Sequence, residues 1–372
     1  MKYYVIAGEA SGDLHGSNLV KALKKLDSQS EIYAWGGNLM QQEGAVLRKH
    51  YRELAFMGFA EVVKNLGTIL RNLSFCKEDI SRFNPDALIL IDYPGFNLRI
   101  AKWAKKQKFK VFYYISPQIW AWHSSRIHQI RKNVDRMFVI LPFEKEYYAK
   151  HDYEVDFVGH PLLDALADFC PDPAFVERNQ LSTKPIIAIL PGSRKQEVAS
   201  ILPVALSITV YFPGHQFVIA AAPSQDLSYY RSFLQRDDVK VVEHQTYQLL
   251  YHSSAAIVAS GTATLETALF DIPEVVVYKG NWISYQIAKR LVDLKYISLV
   301  NLIANNEIVK ELIQGDYTPH NLTVELEKLL EPEYQEQMKK RYATLKEILG
   351  KGGASERCAD KIFDLLSKKS KI

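Results

Sequence analysis

Cysteine is scarce in this chain, with three in 372 residues, at Cys76, Cys170 and Cys358. Their odd number, wide separation and lack of metal-ligand spacing argue against a disulfide framework or a zinc module, and reduced thiols in a cytosolic protein are expected. No apolar run reaches the roughly 18 residues that a bilayer crossing needs. Met1-Lys2 runs straight into a strand pattern without a signal peptide. The chain is therefore expected to be soluble or at most peripheral to a membrane. A dominant charge is missing too: the net charge of +4 creates no demand for nucleic acid. Gly8, Gly12 and Gly16 follow the first strand, but their spacing is not the GxGxxG fingerprint, which speaks against a nicotinamide or flavin cofactor. Tandem repeats and low-complexity tracts are absent.

What is present is ordinary globular composition, 48% hydrophobic and 24% charged, with an unusual load of 21 Tyr and 17 Phe. The length exceeds what one core usually supports and suits two domains. Their organising stretch is Ala255 to Lys279. An apolar strand, Ala255 to Val258, turns at Ser260-Gly261-Thr262 into a helix marked by Leu265, Ala268 and Leu269; Pro273 and a second strand, Val275 to Tyr278, follow. A strand feeding a helix N-terminus aims unpaired N–H groups and a positive dipole end at one point, where small residues let a phosphate approach. Diphosphate would repel the carboxylate of Glu266, one turn further in, so an uncharged diol such as a ribose is its natural partner. An ordinary capped helix is the competing reading.

The first half repeats strand, turn and helix. Residues 3–7 lead into a loop with Glu9, Ser11 and Asp13, whose acids suit sugar hydroxyls better than phosphate, although Ser11 and Asp13 equally suit helix capping. The strand 86–91 ends at Asp92, where open parallel sheets carry their chemistry, so Asp92 is a candidate general base or a turn former. Between them Val62, Val63, Leu66, Ile69, Leu70 and Leu73 keep a helical period, preceded by Phe56, Met57 and Phe59 and rimmed by Lys64, Arg71 and Lys77. This stretch is either a core helix or an apolar patch for a lipid surface. An aromatic turn (117–123) and the basic residues Arg126, His128, Arg131, Lys132 and Arg136 follow, either an anion site or a solvated face. A hinge is expected between Pro161 and Pro185. The pattern then restarts with strand 186–190 and the turn Pro191-Gly192-Ser193-Arg194, which places Arg194 to pair with phosphate.

Strands alternating with helices twice over define the expected fold. It is α/β, with two Rossmann-like doubly wound parallel-sheet domains facing across a cleft, an arrangement shared by the B-type glycosyltransferase fold and by sugar-nucleotide epimerases, so that fold alone decides no function. The domains are expected at 1–165 and 166–344, with a helix at about 345–372 either packing back on the first or exchanging with a partner in a homodimer.

The motifs GEASGD (8–13), MGFAEV (57–62), SPQIWAW (116–122), LPFEK (141–145), FVGHP (157–161), LPGSR (190–194), SGTATLE (260–266) and SLVNLIA (298–304) occur in order over most of the chain. Together they resemble lipid-A-disaccharide synthase. The resemblance implies an inverting transfer of 2,3-diacylglucosamine from its UDP derivative onto the 6-hydroxyl of 2,3-diacylglucosamine 1-phosphate. The product is a β-1′,6 disaccharide, and UDP is released. The implied setting is the cytoplasmic, inner face of the inner membrane, where the protein is peripherally associated. No cofactor and no metal are implied, since the UDP-sugar is a substrate. Asp92 would be the base, with Glu9 next in line. Arg194, Ser260, Gly261, Thr262, Ala263 and Thr264 would hold the diphosphate and Glu266 the ribose, while Ser11 and Asn301 would line the donor side. The 56–73 region (Phe56, Met57, Phe59, Val63, Leu66, Ile69, Leu70, Leu73) would receive acyl chains and touch the bilayer. Competing readings are another UDP-N-acetylglucosamine-dependent transferase, a sugar-nucleotide epimerase, and a non-catalytic membrane-binding protein.

Overall fold

The computed structural model describes residues 1–54, 66–120, 124–167, 169–223, 225–234, 238–280 and 295–367, without the side chains of Leu66 and Ser124. The chain divides into two units, Met1–Asp168 with Leu349–Ile372, and Phe169–Ile348. Each is built on one parallel sheet.

In the first unit the strands are β1 (Lys2–Ala7), β2 (Glu31–Gly36), β3 (Val46–His50), β4 (Ala87–Ile91), β5 (Val111–Tyr114), β6 (Arg136–Val139) and β7 (Asp156–Phe157). Their order across the sheet is β3-β2-β1-β4-β5-β6-β7. Register is parallel throughout, with Val5 paired to Ala34 on one side and Ile89 on the other. Residues 3–7 and 87–91 are buried end to end, because helices cover both faces of a parallel sheet and leave no polar side for alternation.

The aromatic load goes into this core. Trp35 donates its indole N–H to Tyr4 Oη (2.9 Å), Tyr4 donates to Asp79 (2.7 Å), and Arg48 closes on Asp79 at 2.6 Å. That chain of bonds ties edge strand β3 to the sheet centre and to the helix Leu66–Phe83. A buried carboxylate is tolerable there because its charge is matched and its oxygens are bonded. The loop acid Asp13 is also spent on structure. Its carboxylate, almost fully buried, accepts N–H bonds from Gly37 (2.7 Å), Leu39 (3.2 Å) and Met40 (3.2 Å), capping the helix Asn38–Gln42.

The terminal helix Ala354–Ser367 packs against the helix Ala10–Leu26. Asp164 holds its N-terminus by accepting from the N–H groups of Gly353, Ala354 (3.1 Å) and Ser355 (2.8 Å). A carboxylate at that dipole end is favourable. Arg357 adds a bond to Val158 O (2.8 Å), and Lys361 an ion pair to Asp156 (2.9 Å).

The second unit repeats the plan in six strands: β8 (Ile186–Leu190), β9 (Gln216–Ala221), β10 (Val239–Glu243), β11 (Ser253–Ala259), β12 (Glu274–Tyr278) and β13 (Lys310–Ile313), ordered β10-β9-β8-β11-β12-β13. In both sheets the strand order reverses direction once, between β1 and β4 and between β8 and β11. The crevice outside the carboxyl ends of such a pair is where doubly wound sheets bind ligands. Among the described residues no helix is long and apolar enough to cross a membrane, and Cys76, Cys170 and Cys358 are free thiols.

Candidate active site

The first reversal point is lined by the turns after β1 and β4. Gly8 carries no Cβ for a steric reason: a Cβ there would stand 2.3 Å from Cγ of Tyr93, whose ring lies over the turn. Asp92 and Tyr93 are consecutive non-glycine residues in the left-handed region, φ 41° and 47°. Each costs on the order of 1–2 kcal/mol and persists only where its surroundings impose it. Here the Asp92 carbonyl accepts from Tyr113 Oη and from Asn97 Nδ2 (2.8 Å), and the same Asn97 amide reaches Ile91 O (3.2 Å) and Ile6 O (3.3 Å). Asn97 is completely buried and bridges the ends of β1 and β4. Pro94 opens the following helix, where its missing N–H costs nothing.

The consequence is electrostatic. Burial pushes the Asp92 carboxyl up to about 7, and the negative charge of Glu9, at the head of the helix Ala10–Leu26, pushes in the same direction. Two residues 83 positions apart are thereby coupled at one crevice. Ser11 sits in the same helix's first turn and is exposed. His15 is buried, its pKa lowered to about 4 by desolvation.

The second reversal point is lined by the turns after β8 and β11. Gly192 adopts φ +94°, and a Cβ there would meet Glu197 Oε2 at 2.5 Å. Glu197 accepts from the N–H groups of Ser193 (3.2 Å) and Arg194 (3.3 Å) and pairs with the Arg194 guanidinium at 3.3 Å, leaving that side chain more than half exposed. After β11, Gly261 is extended (φ 166°), which any residue adopts, but a Cβ there would meet only open space. Thr262 is exposed and Ala263 half-buried. The hydroxyls of Ser260 and Thr264 are committed inside, to Ile297 O (3.1 Å) and Gly261 O (2.9 Å). This turn therefore offers a ligand backbone N–H groups at a helix start, with Thr262 as its exposed hydroxyl. Glu266 stands half-buried one turn on, with Oε1 accepting from Tyr247 Oη at 2.9 Å. Burial raises its pKa, and the tyrosine bond opposes that rise.

Asn301 does not line this opening. It is fully buried, and both ends of its amide are spent: Nδ2 donates to Val309 O and Glu311 (2.9 Å each), and Oδ1 accepts from the N–H groups of Ile308 (2.7 Å) and Val309 (3.0 Å). The donor-side role expected of it is withdrawn, because it works as the clamp between the helix Leu299–Ala304 and β13.

Of the apolar stretch, Phe56, Met57, Phe59 and Val63 lie outside the described residues, as does the side chain of Leu66. On the helix Leu66–Phe83 the remaining three diverge. Leu73 points into the core with Cys76, Ile80 and Phe83, so its surface is not available to lipid, and Ile69 is half-buried against the same cluster. Leu70 stands 54% exposed, and Phe75, which periodicity did not single out, 43% exposed.

Sequence reading missed Asn97, Tyr113 and Tyr247, whose roles come from long-range partners. It also missed Glu144, fully buried in the LPFEK motif. Burial pushes Glu144 up to about 7 while it accepts from the N–H groups of Ile140 (3.2 Å) and Leu141 (2.9 Å) and from the Trp120 indole (3.3 Å). It joins the aromatic turn after β5 to the turn after β6.

Two parallel doubly wound sheets, with charged and helix-start turns at their reversal points, define a B-type glycosyltransferase or epimerase fold. The whole chain is similar to the solved UDP-GlcNAc 2-epimerase from Neisseria meningitidis bound to UDP-GlcNAc (TM-score 0.68, 15% identity, covering 98% of this chain and 100% of that one). It is also similar to the S. aureus MnaA–UDP co-structure (TM-score 0.70, 12% identity, covering 98% and 97%). At such identities the likeness is one of fold. Sequence goes further: the family model for lipid-A-disaccharide synthetase matches residues 3–363. Curated relatives named lipid-A-disaccharide synthase are 39% identical in Syntrophus aciditrophicus and 37% in Geobacter metallireducens, each covering 98% of this chain and 97% of the relative. Another, from Coxiella burnetii, is 36% identical over 97% of this chain and 98% of its own length. The chain belongs to the lipid-A-disaccharide synthetase family and is a glycosyltransferase.

Proposed function

We propose that the protein transfers 2,3-diacylglucosamine from UDP-2,3-diacylglucosamine to the 6-hydroxyl of 2,3-diacylglucosamine 1-phosphate. The observation that carries the catalytic assignment is Asp92, a carboxylate on a strained turn at the first reversal point whose pKa is pushed up to about 7. A base tuned close to the working pH is the efficient one. Asp92 takes the proton of the acceptor hydroxyl as its oxygen bonds to the anomeric carbon from the face opposite UDP. The anomeric C–O bond breaks, UDP leaves with the electron pair, and the configuration inverts. Arg194 and the helix start at Gly261 to Ala263 meet the charge that grows on the diphosphate, so no metal or other cofactor is required. Glu266 accepts from the ribose, and Ser11 stands on the donor side. Glu9 sets the proton affinity of Asp92.

The acyl chains and the membrane surface fall to the apolar stretch around residues 56–73, with Leu70 and Phe75 as its exposed described members. We place the protein on the inner face of the inner membrane, held peripherally. The terminal helix is held on its own chain by Asp164.

The test is UDP release from UDP-2,3-diacylglucosamine, UDP-N-acetylglucosamine or no donor, each with diacylglucosamine 1-phosphate as acceptor. Turnover confined to the diacylated donor is expected. Turnover with UDP-N-acetylglucosamine would move the protein to another transferase, interconversion of that sugar without acceptor would make it an epimerase, and no UDP release from any donor would leave a membrane-binding protein.

A further inference from the structure

Glu266 offers two oxygens to its surroundings, and one is already held. Tyr247 Oη donates to Oε1 at 2.9 Å. Tyr247 belongs to the short helix Thr246–Tyr251 after β10, at the sheet edge, and not to the turn that carries Glu266. Its ring is fixed within an aromatic cluster, 5.5 Å from Phe270 and 6.2 Å from Phe169, with Phe169 a further 5.1 Å from Phe270. The helix beneath it is tied down by Gln248, which donates to Cys170 O (2.8 Å) and accepts from Asp172 N (2.8 Å). A hydroxyl mounted this firmly does more than satisfy a carboxylate. It holds Oε1 of a flexible glutamate and leaves Oε2 as the second acceptor.

We propose that Tyr247 is the positioning residue for nucleoside-sugar recognition: by holding Glu266 Oε1 it presents Oε2 to the ribose diol and makes the donor site selective for ribonucleotides over nucleotides lacking those hydroxyls. The proposal rests on Glu266 facing the ribose. A site built to bond a hydroxyl rejects the analogue lacking it, because its own polar group is then left unpaired. The Phe variant keeps the ring and its packing and removes only the hydroxyl.

The experiment is calorimetric titration of the full-length protein with UDP and with 2′,3′-dideoxy-UDP, for the unaltered chain, Tyr247→Phe and Glu266→Gln. The unaltered protein is expected to prefer UDP strongly. Tyr247→Phe is expected to lose about 10-fold in UDP affinity, as for one bond to a charged group. Its affinity for the dideoxy nucleotide stays unchanged, so the preference narrows by the same factor. Glu266→Gln narrows it at least as far. Equal weakening of both ligands by Tyr247→Phe would reduce Tyr247 to a packing role and overturn the proposal. So would an unchanged preference in Tyr247→Phe beside a lost one in Glu266→Gln, which would leave the ribose reading standing. An unaltered protein indifferent to the two nucleotides, or a Glu266→Gln variant with full preference, would remove the ribose reading and the proposal with it.

Discussion

At the carboxyl ends of β1 and β4 the chain places two carboxylates, Glu9 and Asp92. At the matching ends of β8 and β11 it places Arg194 and the open helix start at Gly261. Apart from the extra edge strand β7, strand order, parallel pairing and the point of reversal are the same in the two sheets, so the scaffold does not explain the difference. It lies in what the turns carry. In the first unit a strained turn, pinned by Asn97 and Tyr113, presses an acid into a half-buried place beside another acid, which raises its proton affinity. In the second, hydroxyls and an acid hold the turns: Ser260 and Thr264 donate to carbonyls, and Glu197 takes the N–H groups of Ser193 and Arg194 and pairs with the Arg194 guanidinium. One topology carries different side-chain chemistry according to a handful of turn residues.

The contrast can be broken from either side. Asp92→Asn keeps the turn and its size but removes the base, and kcat is expected to fall by about 10²–10⁴ with UDP affinity unchanged. A loss under 10-fold would move the base elsewhere, with Glu9 next. Arg194→Ala removes charge from the other crevice, and a kcat loss of about 10²–10³ is expected, the scale of one transition-state donor. UDP inhibition should weaken alongside it, which Asp92→Asn should not produce.

A pH profile sharpens the contrast. Asp92 must be deprotonated to act, so kcat/KM rises with pH through about 7. The negative charge of Glu9 raises that value, so Glu9→Gln lowers it and moves the acidic limb to lower pH. A limb that stays in place would separate the two carboxylates. The smallest effect is expected outside both crevices. Leu70→Ser alters a side chain that is already 54% exposed, so the melting temperature should hold while binding to anionic vesicles weakens about 10-fold, the order of one leucine's burial. Leu73→Ser should do the reverse, costing about 2–5 kcal/mol of stability because Leu73 is core.

Much of this was legible in the chain. The central strands β1, β4, β8 and β11 are built on apolar runs, since a parallel strand covered on both faces has no polar alternation, and the turns behind them named Glu9, Asp92, Arg194 and Gly261. Two edge strands were not legible: VLRKH of β3 and KELI of β13 are short, charged and half-exposed, so no hydrophobic signal marks them. On the helix Leu66–Phe83 the core row runs through Ile69, Leu73, Cys76 and Ile80 while Leu70 faces out, a split that packing on the sheet decides.

The sequence by itself determined the alternation of strand and helix, the division into two halves, the turns that carry chemistry and, through its ordered motifs, the family. These are local matters of period, propensity and spacing. Tertiary structure alone decided which polar groups remain available. It enclosed Asn301 and Asp13 in bonds, raised Asp92 by burial beside Glu9, and brought Tyr247 to Glu266. Burial and hydrogen-bond partners depend on residues tens of positions away, and a side chain's chemistry is fixed only when those partners have arrived.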